Sequence, residues 1–110
     1  MLLPNRSEAY IPAPKLIDYL LSETHAVGKS KAKFFRALGF DETNVAVLEQ
    51  GLLSIARTET VAQVIQSPCG KKYIIDGFLA TPSGTSVKVQ TFWIVEAQDV
   101  RPRFVTAYPA

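Results

Sequence analysis

The stretch Ser86-Val87-Lys88-Val89-Gln90-Thr91-Phe92-Trp93-Ile94-Val95-Glu96 decides the fold. Side chains alternate across a strand, so Val87, Val89, Thr91, Trp93 and Val95 share one face, and β-branched and aromatic residues suit a half-buried pleated surface. Trp93 falls in the core-facing register, where its role is packing. Working outward, Pro82-Ser83-Gly84 is a turn that separates this strand from another at 72–80. Ser67-Pro68-Cys69-Gly70 is a second turn, and it closes a strand at 60–66. On the other side, a loop containing Pro102 leads to a last strand at 103–108. Four consecutive strands joined by short turns pair most simply as an antiparallel meander.

The half before position 60 has a different period. Pro12 and Pro14 follow an extended arm, and Leu16, Ile17, Leu20 and Leu21 then recur at helical spacing to about Glu23, with Pro14 suited to a first turn. A basic helix follows and stops at Gly39, the residue type that accepts a left-handed conformation after a helix end. Asp41-Glu42-Thr43 supplies a cap for a third helix carrying Val45, Leu48, Leu52 and Ile55 and ending near Arg57. Gly51 inside it costs about 1 kcal/mol of propensity relative to alanine. The expected fold is α+β, with three N-terminal helices packed on one face of the four-stranded sheet. The expected organisation is a single domain over 1–110: arm 1–13, helical half 14–57, sheet 60–108.

Composition bounds the function. The chain has 110 residues, is 47% hydrophobic and 20% charged, and carries a net charge of +2. A chain of this size buries roughly 60–70% of its unfolded surface, enough for one core. One cysteine excludes an internal disulfide, and one histidine with no cysteine pair offers no zinc site, so neither a metal nor a cofactor is expected. No apolar run approaches the ~18 residues that span a bilayer, and Met1-Leu2-Leu3 is too short for a secretory signal. The expectation is a cytoplasmic protein without a membrane partner, although a toxin module exported by a carrier would read the same way. Repeats and low-complexity tracts are absent.

Charge is distributed unevenly. Residues 25–36, His-Ala-Val-Gly-Lys-Ser-Lys-Ala-Lys-Phe-Phe-Arg, hold four basic residues, one histidine and no acid. A turn of ~100° per residue gathers Val27, Phe34, Phe35 and Leu38 on one face and Lys29, Lys33 and Arg36 on the other. Lys31 lands with the apolar group. Either its stem packs while the ammonium reaches water, or it is kept there for an anion. Lys29, Lys33 and Arg36 fit a solvated helix face equally well, but their clustering sets up a local positive field that suits an anionic partner.

Candidate chemistry is sparse. His25 is the available imidazole base, and neighbouring cations favour the neutral form that accepts a proton. Thr106 and Tyr108 share a face of the last strand, where both residue types are also ordinary strand formers. Arg103 points to the opposite face of a regular strand, so it joins them only through a bulge. Cys69 has no adjacent base, which argues against a nucleophilic role. Asp76 and Glu96 are isolated carboxylates without the spacing of a metal pair. Gly28-Lys29-Ser30 lacks the upstream glycine of a P-loop, having Glu23 there, and lacks a preceding strand.

The stretches Leu3-Pro4-Asn5, Leu20-Leu21-Ser22, 25–35, Leu38-Gly39-Phe40 and Pro102-Arg103-Phe104-Val105-Thr106-Ala107-Tyr108-Pro109 resemble an uncharacterised bacterial family of single-domain proteins of about this length. In order of elements, helices with a His/Lys-rich segment followed by a four-stranded sheet ending in Thr-x-Tyr, the chain is also similar to the barnase-like and RelE-like small ribonuclease toxins. That architectural resemblance implies metal-free RNA cleavage. His25 would take the ribose 2′-hydroxyl proton, and Lys29, Lys31 and Arg103 would stabilise the charge on the phosphorane. Thr106 and Tyr108 would hold the phosphate or stack a base. The chain departs from that pattern in having one histidine and no evident acid partner.

Three functions therefore stand at this point. A ribonuclease of toxin type predicts that Lys31, His25 and Tyr108 converge as catalytic residues, with Lys29, Lys33, Arg36, Arg103 and Thr106 binding RNA. A polyanion-binding module predicts salt-sensitive affinity through Lys29, Lys33 and Arg36. A protein-interaction component of a two-protein operon predicts a cognate partner and indifference to the basic helix.

Overall fold

The computed structural model describes residues 1–24 and 29–110, with Lys29 described in its backbone alone. Strands β1 (Gln63–Ser67), β2 (Gly70–Ala80), β3 (Ser86–Glu96) and β4 (Asp99–Pro109) form one antiparallel sheet in the order β1-β2-β3-β4, the expected meander. Three helical segments precede it: α1 (Ala13–Lys15), which runs directly into a π-helical turn (Leu16–Leu20), α2 (Lys29–Ala37) and α3 (Val45–Thr58).

Helix α3 lies on the face of the sheet formed by Tyr73, Ile75, Gly77 and Leu79 of β2. The contact is close because two glycines allow it. A Cβ at Gly51 would stand 2.5 Å from Leu79 Cδ1, and one at Gly77 would stand 2.9 Å from the Ile55 side chain. The propensity cost of Gly51 within a helix thus secures a close helix–sheet approach. Leu48, Leu52 and Ile55 of α3 join Ile75, Leu79, Val89, Trp93 and Phe104 in one buried cluster, together with Leu3 and Ile11 of the arm and Phe35 of α2. Inside it, the Trp93 indole donates to Thr91 Oγ1 at 2.9 Å and Thr91 donates to the Ile75 carbonyl at 2.7 Å.

Several boundaries differ from the sequence expectation, each for a local reason. The first helix is not a regular α-helix to Glu23: the Leu21 amide bonds the Leu16 carbonyl, and this wider turn keeps Leu16, Leu20 and Leu21 buried. Helix α3 starts at Val45, and the side chain of its N-cap residue, Asn44, holds the preceding loop through the Asp41 amide and the Gly39 carbonyl. Strand β1 starts at Gln63 because Val61 donates to the Met1 carbonyl. Strand β4 reaches back to Asp99 through Pro102, a residue tolerated on an edge strand. The arm covers that edge: Tyr10 donates to the Pro102 carbonyl and accepts from the Phe104 amide. Among the described residues no helix is long and apolar enough to cross a membrane.

Candidate functional site

The site begins with an irregularity in β4. Phe92 of β3 pairs with Thr106, but its neighbour Trp93 pairs with Phe104, so Val105 is an extra residue. A bulge of this kind re-aims the side chains beyond it. Phe104 and Ala107 stay in the core, whereas Arg103, Thr106 and Tyr108 all lie on the face turned away from α3. The bulge is the condition under which Arg103 can share a face with Thr106. On this face the Tyr108 ring meets the Phe92 ring edge-on at 5.5 Å, and Gln90 is the cross-strand partner of Tyr108.

The helical half reaches the same strand. Tyr19, in the π-helical turn, places its hydroxyl 2.9 Å from Thr106 Oγ1. The Lys15 ammonium stands 4.7 Å above the Tyr19 ring. From α2, the Lys31 ammonium stands 4.4 Å from the centroid of Tyr108 and 5.5 Å from that of Tyr19. Lys31 is only 9% exposed. The four ion pairs among the described residues involve Arg36, Arg101 and Arg103, and none includes Lys31. The stem is packed, and the ammonium at its end is held over the two rings. Two aromatic faces attract it by about 0.5–2 kcal/mol and leave the positive charge unneutralised.

Around this seat lie a second lysine, two phenols and a threonine hydroxyl, donor groups that suit the oxygens of a phosphate. A cavity of about 340 Å³ next to it is lined by Pro12, Pro14, Lys15, Asp18, Tyr19 and Arg103. Arg103 is anchored there by Glu96, whose Oε1 accepts from its Nη2 at 2.7 Å. Among the described residues no group of three or more His, Cys, Asp or Glu side chains could hold a metal ion.

The other residues singled out from the sequence sit elsewhere. Arg36 is taken up in structure: its Nε and Nη2 donate to the Leu21 carbonyl at 2.9 and 2.7 Å, and it pairs with Glu42 at 2.6 Å and Glu23 at 3.1 Å. The hydrogen bond from Arg36 holds the Glu42 carboxyl below the usual range, and the same bond raises the guanidinium. Lys33 and Arg36 line a larger hollow of about 620 Å³ with Ser30, Ala37 and Glu23. An anion entering it would meet the Glu23 carboxylate and an arginine already neutralised. His25 and the Lys29 side chain lie outside the described residues. Lys15 and Tyr19 were not legible as site residues. Their i, i+4 spacing is the one hint, and the π-helical turn that aims Tyr19 at β4 has no evident sequence signature.

The chain belongs to a family described as a domain of unknown function (DUF6883), whose model matches residues 2–110. No curated protein matches the sequence. A solved chain titled as part of a contact-dependent growth inhibition toxin–immunity protein complex from Klebsiella pneumoniae 342 is similar in structure, with a TM-score of 0.73, 21% sequence identity and coverage of 96% of each chain. At that identity the likeness shows a shared fold.

Proposed function

We propose that the chain is a small ribonuclease of toxin type that cleaves RNA phosphodiesters with its own side chains. The observation that carries this reading is the Lys31 ammonium, held over the Tyr108 and Tyr19 rings by a largely buried side chain, with no ion-pair partner among the described residues. A pre-positioned positive charge stabilises the dianionic phosphorane more than the monoanionic ground state, which is the differential interaction that accelerates a reaction. In the proposed reaction the ribose 2′-oxygen forms a bond to phosphorus while the bond from phosphorus to the 5′-oxygen breaks. His25 takes the 2′-hydroxyl proton, and the Tyr108 phenol returns one to the leaving 5′-oxygen. The products are a 2′,3′-cyclic phosphate and a 5′-hydroxyl. Thr106, oriented by Tyr19, and Lys15 hold the non-bridging oxygens, with Arg103 on the wall of the adjoining cavity.

The structural neighbour is a chain of a toxin–immunity complex, which supports a cognate protein partner for this chain; the toxin role itself rests on the Lys31 site. RNA would be met in the cytoplasm. The test is incubation of the purified chain with total RNA in EDTA, followed by electrophoresis. Discrete fragmentation is expected. Intact RNA retained by the protein in a salt-dependent way would favour a polyanion-binding module. Intact RNA without retention would favour a protein-interaction component.

A further inference from the structure

The two edges of the sheet are finished differently. On the β4 edge, Tyr10 of the arm forms a parallel bridge with Arg103, and Pro102 and Pro109 lie in the strand itself. β1 is the other edge: it pairs with β2 on one side, and among the described residues no backbone hydrogen bond reaches it on the other. The Met1 carbonyl takes the Val61 amide just before the strand, and the cover stops there. An edge strand turns N–H and C=O groups outward as a template for another chain, and proteins usually blunt it with a charge, a proline or a cover. β1 has none of these. From Thr60 to Ser67 the sequence Thr-Val-Ala-Gln-Val-Ile-Gln-Ser holds no charged residue and no proline. Gln63, Val64, Ile65 and Gln66 are all exposed. Val64 (42%) and Ile65 (39%), on opposite faces, are β-branched residues of the kind that pack well across strands.

We infer that the β1 edge docks an extended, acidic segment of a protein partner as a fifth strand of the sheet. This rests on the cognate partner proposed above and gives it a place to bind, at the sheet edge opposite β4. In such an addition the main-chain groups of the edge supply affinity and the flanking side chains supply selectivity. Here the flanking side chains are cationic. Lys72 is directly opposite Ile65, and Lys71 directly opposite Gln66. One lysine therefore stands on each face of the sheet, one strand spacing of about 4.8 Å inside the edge. Neither is in an ion pair among the described residues. An added strand continues the row of Lys72 and Ile65 by one residue and the row of Lys71 and Gln66 by the next. An acid at each of these positions meets a lysine across β1, each pair on its own face. The following residue continues the row of Tyr73 and Val64 and meets an apolar neighbour. The chemistry selected is thus two adjacent acidic residues beside a β-branched one. A second copy of this chain does not offer it, because its own edge has no acid between residues 60 and 67. RNA neutralises lysines but has no peptide groups to pair with the strand.

Cys69, exposed in the turn that closes β1, is the single cysteine of the chain and anchors the test. Three short peptides, each tipped with a cysteine, compete for it by thiol–disulfide exchange in glutathione buffer, and mass spectrometry measures the adducts relative to those formed with free cysteine. The tether raises the effective concentration of each peptide at the edge. One peptide is a valine- and threonine-rich strand with two adjacent glutamates. The second has lysines in their place. The third keeps the glutamates but has proline at alternate positions and cannot form a ladder. Wild type is expected to capture the first peptide at least about fivefold over each of the others. The double variant Lys71→Glu, Lys72→Glu, with its melting temperature as a folding control, is expected to prefer the lysine peptide instead. Equal capture of the acidic strand and its proline form by wild type would overturn the added strand. An acidic preference kept by the folded double variant would overturn the role of the lysines. A protein that sediments as a dimer and captures no peptide preferentially would assign the edge to a second copy. No arm contains RNA, so each of these failures leaves standing the ribonuclease reading and a partner bound elsewhere, and a wild type that cleaves no RNA leaves the edge.

Discussion

The Lys31 ammonium lies 4.4 Å from the centroid of the Tyr108 ring, joining α2 to the C-terminal end of the sheet. Lys31→Met, which keeps the stem and removes the charge, gives up about 0.5–2 kcal/mol of cation–π attraction and gains apolar contact for its end. The expected result in thermal unfolding is a stability within about 2 kcal/mol of wild type. A loss of more than about 2 kcal/mol would mark Lys31 as a structural residue, because removing a packing contact is what costs that much.

Tyr108 separates ring from hydroxyl. Tyr108→Phe keeps the face under Lys31 and the edge contact to Phe92, so stability is expected to stay within about 0.5 kcal/mol. RNA cleavage is expected to fall about 10²–10⁴-fold, the size of a lost general acid. Tyr108→Ala removes both ring contacts and is expected to cost about 1–2 kcal/mol as well. Full cleavage by Tyr108→Phe would limit the residue to seating the lysine.

Thr91 is the hinge of the buried polar pair in the core. Thr91→Val removes the acceptor of the Trp93 indole and a donor to the Ile75 carbonyl, where no water reaches. Leaving these groups unpaired is expected to cost about 1–3 kcal/mol, which at roughly 4–8 °C per kcal/mol is a clear drop in melting temperature. An unchanged melting temperature would show that the indole finds another acceptor.

Acid should loosen the clasp on α2. The Arg36 hydrogen bond depresses the Glu42 carboxyl, and the Thr43 hydroxyl does the same for Asp41. A depressed carboxyl contributes stability that is complete above its unfolded value, ordinarily 4.5 for Glu42, and is lost as pH falls through the folded value. Both groups are exposed, so the effect is expected to be modest and to shrink with added salt. Melting temperatures followed from pH 7 to about pH 3 should decline less in Glu42→Gln than in wild type. Parallel declines would place the acid-sensitive groups elsewhere.

The strand half of the fold was legible because Val87, Val89, Thr91, Trp93 and Val95 alternate without a break and the turn residues stand between strands. Lys31 was legible for a similar reason, since the helical period alone puts it among Phe34, Phe35 and Leu38. The shared face of Thr106 and Tyr108 followed from alternation, but the company of Arg103 depended on a bulge at Val105, and bulges obey pairing geometry that a single strand does not display. Tyr19 was hidden by a π-helical turn that shifts the phase of its ring.

The most direct test of the account is the single-turnover cleavage of one RNA oligonucleotide in EDTA by wild type and Lys31→Met, with analysis of the product ends. The account predicts 2′,3′-cyclic phosphate and 5′-hydroxyl ends from wild type, and a rate at least about 10²-fold lower from the folded Lys31→Met protein. Intact RNA with wild type, or fragments from Lys31→Met at the wild-type rate, would contradict it.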